Sequence, residues 1–144
     1  SWRVTWRGAA ATALCELLTK AGYQVEYWQF FRTTDTFRKR NYNSEQAIKL
    51  KGANERPDWT KLANLTSCWN YRTLGFSLKA TDLIPNGGAN RGLGYPNYEW
   101  SDLKVIGDRI ARGRPVICID GTPFSKEKAT KAVIDGVEKF KASF

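Results

Sequence analysis

The stretch Val116-Ile-Cys-Ile119 is the segment that most narrows the folds open to this chain. It follows Pro115, precedes Asp120-Gly121, and carries no polar break. A strand with one face in water alternates apolar with polar residues, whereas a strand covered on both faces reads as an unbroken apolar run. The run is therefore expected to form a central strand buried on both sides. Asp120-Gly121 would then turn the chain, and Ser125 would cap a helix carrying Ala129, Val133, Gly136, Val137 and Phe140 on one face.

Other elements are placed around that strand. Ala10, Ala13, Leu14, Leu17, Leu18 and Ala21 recur at helical spacing, which predicts a helix over 8–21 ended by Gly22 in a left-handed cap. Tyr23–Phe31 is aromatic, β-branched and alternating at its start, which predicts a strand, and Arg3–Trp6 is a candidate strand ahead of the helix. Residues 32–45 are polar without a sustained period and read as a loop. Ala47–Lys51 reads as a short edge strand with Lys49 and Lys51 on a solvated face. Pro57-Asp58 starts a helix spaced by Trp59, Leu62, Ala63, Thr66 and Trp69, with a second short helix over 71–79. Residues 84–97 are a loop of turn formers. Ser101 caps a helix through Leu103, Ile106 and Ile110 that stops at Gly113. Strands and helices alternating with short joints predict a single α/β domain over 1–144, a three-layer Rossmann-like fold whose mostly parallel sheet of about four strands is flanked by helices.

Composition bounds the chemistry. The 144 residues contain no histidine, which excludes Ser–His and Cys–His nucleophile pairs, histidine bases and histidine-bound metals. Cys15, Cys68 and Cys118 form no C-x-x-C pair, so free buried thiols are expected rather than a disulfide framework or a zinc site, and no cofactor is expected. No apolar stretch approaches the ~20 residues that span a bilayer, and the first residues lack the apolar core of a signal peptide. The expectation is no membrane partner and a location in the cytoplasm or within a virion or other assembly.

Asp120 and Thr122 follow the apolar run where α/β folds place ligands. The stretch resembles the phosphohydrolase pattern of haloacid-dehalogenase-like enzymes, but the nucleophilic aspartate of that pattern would fall at Cys118, and a thiol forms no aspartyl phosphate. It also resembles the integrin-type Mg²⁺ motif Asp-x-Ser-x-Ser in Asp120 and Thr122, yet Phe124 stands where the last serine is needed. No metal site and no catalytic residue are assigned, and an enzyme built around Asp120 stays as an alternative. A nuclease of the D…(D/E)-x-K type fails because no acid stands two positions before Lys49 or Lys51. Gly88, Gly92 and Gly94 match neither G-x-G-x-x-G nor a Walker A loop.

Net charge is +9, and residues 30–56 hold seven Lys/Arg against Asp35, Glu45 and Glu55, a local balance of +4. Phe30, Phe31, Phe37 and Tyr42 are interleaved with Arg32, Arg38, Lys39 and Arg40. Basic groups beside stackable rings suit single-stranded nucleic acid, which makes Arg32, Arg38, Lys39, Arg40, Lys49 and Lys51 the candidate nucleic-acid contacts. The alternative is a solvated basic loop. Six tryptophans exceed what one small core needs, and Trp2, Trp100, Arg91 and Tyr95 are the candidate contacts to a protein partner or a second copy.

Three stretches, "WRGAAATALCELLTKAGYQVEYW", "IKLKGANERPDWTKLANLTSCWNYRTLGFSLKA" and "RPVICIDG", together resemble von Willebrand factor A-like domains of bacterial and bacteriophage proteins, over about Trp6 to Gly121. The resemblance lies in element order, an Arg-Gly-Ala helix start and an aliphatic-lysine strand. It implies a Rossmann-like sheet and a role in binding or assembly. The Asp-x-Ser-x-Ser of the metal-binding members is not present. The expected function is a non-catalytic protein-interaction or structural domain, a component of a phage or other assembly, with nucleic-acid binding through 30–56 as the alternative.

Overall fold

A computed structural model describes residues 2–37, 40–66, 95–96, 107–119 and 125–144, with side chains described over 5–30, 46–66, 107–119 and 125–144. Helix α1 (Trp2–Lys20) leads into a hairpin of β1 (Tyr27–Phe37) and β2 (Arg40–Lys51). Helix α2 (Trp59–Leu65), a two-residue strand β3 (Tyr95–Pro96), a helical turn α3 (107–111) and helix α4 (Lys126–Ala142) follow. The sheet order is β2-β1-β3, and both pairings are antiparallel.

This overturns the Rossmann-like, von Willebrand factor A-like expectation. Phe37 pairs with Arg40, so only Arg38 and Lys39 stand between the two strands. A connection that short permits antiparallel pairing alone, because parallel strands need a crossover of a dozen or more residues. Among the described residues no strand pair is parallel. The loop predicted over 32–45 is largely strand: Arg32 pairs with Glu45, Thr34 with Asn43 and Asp35 with Tyr42. Arg3–Trp6 is the first turn of α1 rather than a strand. Most consequentially, Val116–Ile119 is in no strand. Val116 is 40% exposed and the next three residues are half-buried, so the run is not sandwiched within a sheet.

Helix ends follow local chemistry. Gly22 takes φ +95° as its N–H donates to the Thr19 carbonyl and the Tyr23 N–H to the Leu18 carbonyl. These two bonds are the Schellman closure that satisfies carbonyls left over at a helix C-terminus. The Asp58 side chain accepts from the Lys61 N–H to start α2, and Ser125 Oγ accepts from the Lys128 N–H to start α4. Past α3 the chain turns through Arg112 at φ +52° and Gly113 at φ +83°. The second short helix, the glycine-rich loop apart from Tyr95–Pro96, and the helix residues before 107 lie outside the described residues.

Tyr27, Cys15 and Leu62 are buried together where α1, the hairpin root and α2 meet, with Ala11, Val25, Leu50 and Trp59 packed around them. Helix α1 is covered on more than its predicted stripe: Gly8, Thr12 and Cys15 are buried as well as Ala10 and Leu14, while Leu17 is half exposed. Helix α4 keeps the face predicted for it, with Ala129 and Gly136 buried and Gly136 against Leu14 of α1.

Candidate functional site

The basic-aromatic region is built as a ribbon rather than a loop. Its strands begin at Tyr27 and Lys51 beside the core, and the paired backbone runs out to Phe37 and Arg40. Thr33 and Thr34 also pair with Pro96 and Tyr95 of β3. Of the candidate nucleic-acid contacts, Arg32 lies in β1 opposite Glu45 and Arg40 in β2 opposite Phe37, at register positions of opposite parity. Arg38 and Lys39 lie outside the described residues, as do Arg91, Trp100, Asp120 and Thr122. Trp2 is the first residue of α1, and Tyr95 is placed by its pairing with Thr34.

Lys49 and Lys51 do not share a solvated face. The register shifts by one residue at the root, where Trp28 pairs with Lys49 but Tyr27 pairs with Lys51, leaving Leu50 as the extra residue. Such a bulge reverses the alternation beyond it. Lys51 is thereby turned to the side of Tyr27, is only 3% exposed, and donates from Nζ to the carbonyls of Val25 (2.9 Å) and Gly52 (3.1 Å). A buried ammonium needs such acceptors. Lys49 stays on the outer side, with Nζ 5.2 Å from the centroid of the Trp28 ring, within cation–π reach.

A polar cluster ties the same root to the segment after α3. The Glu26 carboxylate accepts from Trp28 Nε1 at 3.1 Å and from Arg114 Nη2 at 3.2 Å, with Lys49 Nζ 3.9 Å away. The Arg114 bond, joined by the Trp28 N–H and by the two cations, holds the Glu26 pKa below the usual carboxylate range. Arg114 itself is fixed by donating from Nε to the Ala111 carbonyl and from Nη2 to the Ile110 carbonyl.

Beside this cluster lies a cavity of about 430 Å³. Leu14 and Leu18 of α1, Ile110 of α3, Ile117 and Ile119 of the predicted central strand, and Phe140 of α4 supply its apolar walls. The strand that sequence reasoning put inside a sheet is thus one wall of a cavity. Its apolar character is used, but against a space rather than against two covering layers. Tyr27 also borders the cavity. Its hydroxyl is 3.2 Å from Thr12 Oγ1, and its second contact is a long one, 3.5 Å, to the Gly8 carbonyl.

Burial pushes the Tyr27 pKa up to about 12, and burial also raises the Cys15 thiol, with Lys51 opposing that rise. The folded state thus prefers the neutral phenol, whose ordinary pKa is about 10. Stability from that preference is complete below about pH 10 and is lost as pH climbs from there through about 12, by up to roughly 3 kcal/mol. Urea midpoints measured at pH 9 and above pH 11 should diverge more for the native chain than for Tyr27→Phe. An identical drop in both proteins would show that the lysines, not this phenol, set the alkaline limit.

Cys15 is a buried free thiol and Cys118 a half-buried one, and Cys68 lies outside the described residues. Among the described residues no group of three or more Cys, Asp or Glu is gathered to hold a metal, and no helix is long and apolar enough to cross a membrane. The cavity, the inward lysine and the Glu26–Arg114 contact were not foreseen. Only the last had any trace in the sequence, as opposite charges within the predicted Tyr23–Phe31 strand and just ahead of the Val116–Ile119 run.

The model of a family described as a domain of unknown function, DUF7192, matches residues 2–141, and the chain belongs to that family. No curated protein and no solved structure matches the chain. The family match supplies nothing that links the chain to von Willebrand factor A-like domains.

Proposed function

We propose that this chain is a nucleic-acid-binding module whose contact element is the β1–β2 ribbon. The supporting observation is the antiparallel pairing from Tyr27–Lys51 out to Phe37–Arg40, which turns a basic-aromatic stretch into a two-stranded ribbon with Arg38 and Lys39 between its paired ends. Residues 27–51 carry Arg32, Arg38, Lys39, Arg40, Lys49 and Lys51 against Asp35 and Glu45, a balance of +4. A two-stranded ribbon fits the major groove of a duplex, and aromatic side chains between cations suit single strands as well. Lys51 has no part in this, since its ammonium is held by carbonyls inside the protein.

Affinity for a duplex or single-stranded oligonucleotide is expected to fall steeply with salt. The combined replacement of Arg32, Arg38, Lys39 and Arg40 by glutamine should lower the log–log slope by roughly 0.7–0.9 for each phosphate contact removed. Binding that ignores salt, or a slope unchanged by the four substitutions, would sink the proposal. A protein-assembly role is the second reading. It is favoured by Leu17, Tyr23, Ile134 and Phe144, all 46–80% exposed, with the Tyr23, Phe140 and Phe144 rings in mutual contact.

A further inference from the structure

We infer that the ribbon reads base edges in the major groove of duplex DNA through the row of positions that holds Thr34, Thr36, Asn41 and Asn43. The inference rests on the nucleic-acid proposal and narrows its ligand from nucleic acid in general to the B-form duplex. Residues two apart along a strand share a face of the sheet, as do residues paired across it. The pairing therefore sorts the ribbon into two rows. One runs from Trp28–Lys49 through Arg32–Glu45 and Thr34–Asn43 to Thr36–Asn41. The other runs from Gln29–Ile48 through Phe31–Gln46 and Asp35–Tyr42 to Phe37–Arg40.

The root distinguishes the two rows. Lys49 is exposed with its ammonium over the Trp28 ring, so the first row begins on the solvent side. Gln29 Oε1 and Gln46 Oε1 are shut off from water, and Tyr27, two positions before Gln29, is buried, so the second row begins on the core side. Phe31, Phe37 and Tyr42 all fall in that second row. Single strands are held by bases stacking on rings, and beyond Phe30 the solvent-side row has no ring. It has instead two carboxamides and two hydroxyls in successive positions of like parity. Asparagine pairs bidentately with adenine, and threonine offers a hydroxyl to a base edge and a methyl to thymine. Arg32 precedes this group, and Arg38 and Lys39 follow it, where cations can position the duplex by its phosphates. Beyond the β3 pairing at Thr33 and Thr34 the described ribbon is two strands wide. The major groove of B-form DNA admits such a ribbon, whereas that of an A-form RNA duplex is too narrow.

The test is selection by the full chain from DNA duplexes with randomised centres, followed by titration of the enriched duplex, its separated strands and the RNA duplex of the same sequence. A preferred sequence is expected, bound about a hundredfold or more tighter than an unselected duplex, either strand or the RNA. Asn41→Ala and Asn43→Ala should each relax the preference at particular base pairs by about five- to a hundredfold and leave the salt slope unchanged. Arg38→Gln and Lys39→Gln should do the reverse. Where an asparagine variant melts early, Thr36→Val, which keeps the β-branched shape, gives the same readout. Tyr42→Leu, in the other row, should leave the preference intact. No preferred sequence, strands bound as tightly as the duplex, or a preference lost in Tyr42→Leu but kept in the asparagine variants would overturn the inference while the nucleic-acid proposal stands. Failure of every probe to bind would remove both.

Discussion

Gly8→Val is expected to destabilise the fold by about 3 kcal/mol and to lower the melting temperature by about 10 °C. A Cβ added at Gly8 would lie 2.7 Å from Thr66 Cβ and 2.8 Å from both the Thr66 carbonyl oxygen and its Oγ1. None of those atoms is the loose end of a side chain. Thr66 is the C-cap of α2, its N–H donates to the Leu62 carbonyl, and its hydroxyl donates to the carbonyls of Leu62 and Ala63. Relief therefore requires α1 and α2 to move apart, which opens the buried cluster of Cys15, Tyr27 and Leu62. Gly136→Ala is the control. Its Cβ would meet Leu14 Cδ2 at the same 2.7 Å, but that methyl ends a flexible side chain. The helix-propensity gain of about 1 kcal/mol from glycine to alanine offsets the adjustment, so little net change is expected. Thermal melts of both variants decide the matter. A harmless Gly8→Val would mean that α1 and α2 are not in this contact.

Leu62→Ala should cost about 3–4 kcal/mol, within the usual range for removing a buried leucine. Leu62 is 3% exposed in the cluster that joins α1, the hairpin root and α2, and α2 has only seven residues with which to hold its place. Helix propensity cannot sustain so short a helix, so its stability comes from this packing. The urea midpoint should fall sharply with the m-value unchanged, whereas Leu17→Ala, at a half-exposed position on α1, should shift it by no more than about 0.5 kcal/mol. Equal small losses at both positions would show that the core lies elsewhere.

Features written in a few neighbouring residues were legible in the sequence. Gly22 as a left-handed cap, Asp58 and Ser125 as N-caps, and the buried face of α4 all depend on local geometry that a single side chain can satisfy. The β1–β2 ribbon was missed because residues 32–45 carry no apolar alternation to mark one face against the other. The signal that was present is the β-branched set Thr33, Thr34 and Thr36, residues that fit extended backbone. Arg3–Trp6 is short enough to suit either element, and its unbroken continuation into the alanine-rich stretch is what makes it helix. Val116–Ile119 misled for the opposite reason. An apolar run reports burial, not what does the burying, and here the neighbour is a cavity. Of the candidate contacts, Lys51 was misread because period-two reasoning has no way to anticipate an unpaired Leu50.

That unmatched leucine makes the outer chemistry of the ribbon a matter of counting. With it, one amine of the pair near the base meets solvent and the other is sealed beneath the sheet. Had Leu50 paired with Tyr27 in regular alternation, the leucine would take the inner side and the following lysine would return to the outer one, its ammonium in water and the two carbonyls without their donor. The side on which that ammonium lies is therefore fixed by the spacing of this joint rather than by the kinds of residue in it.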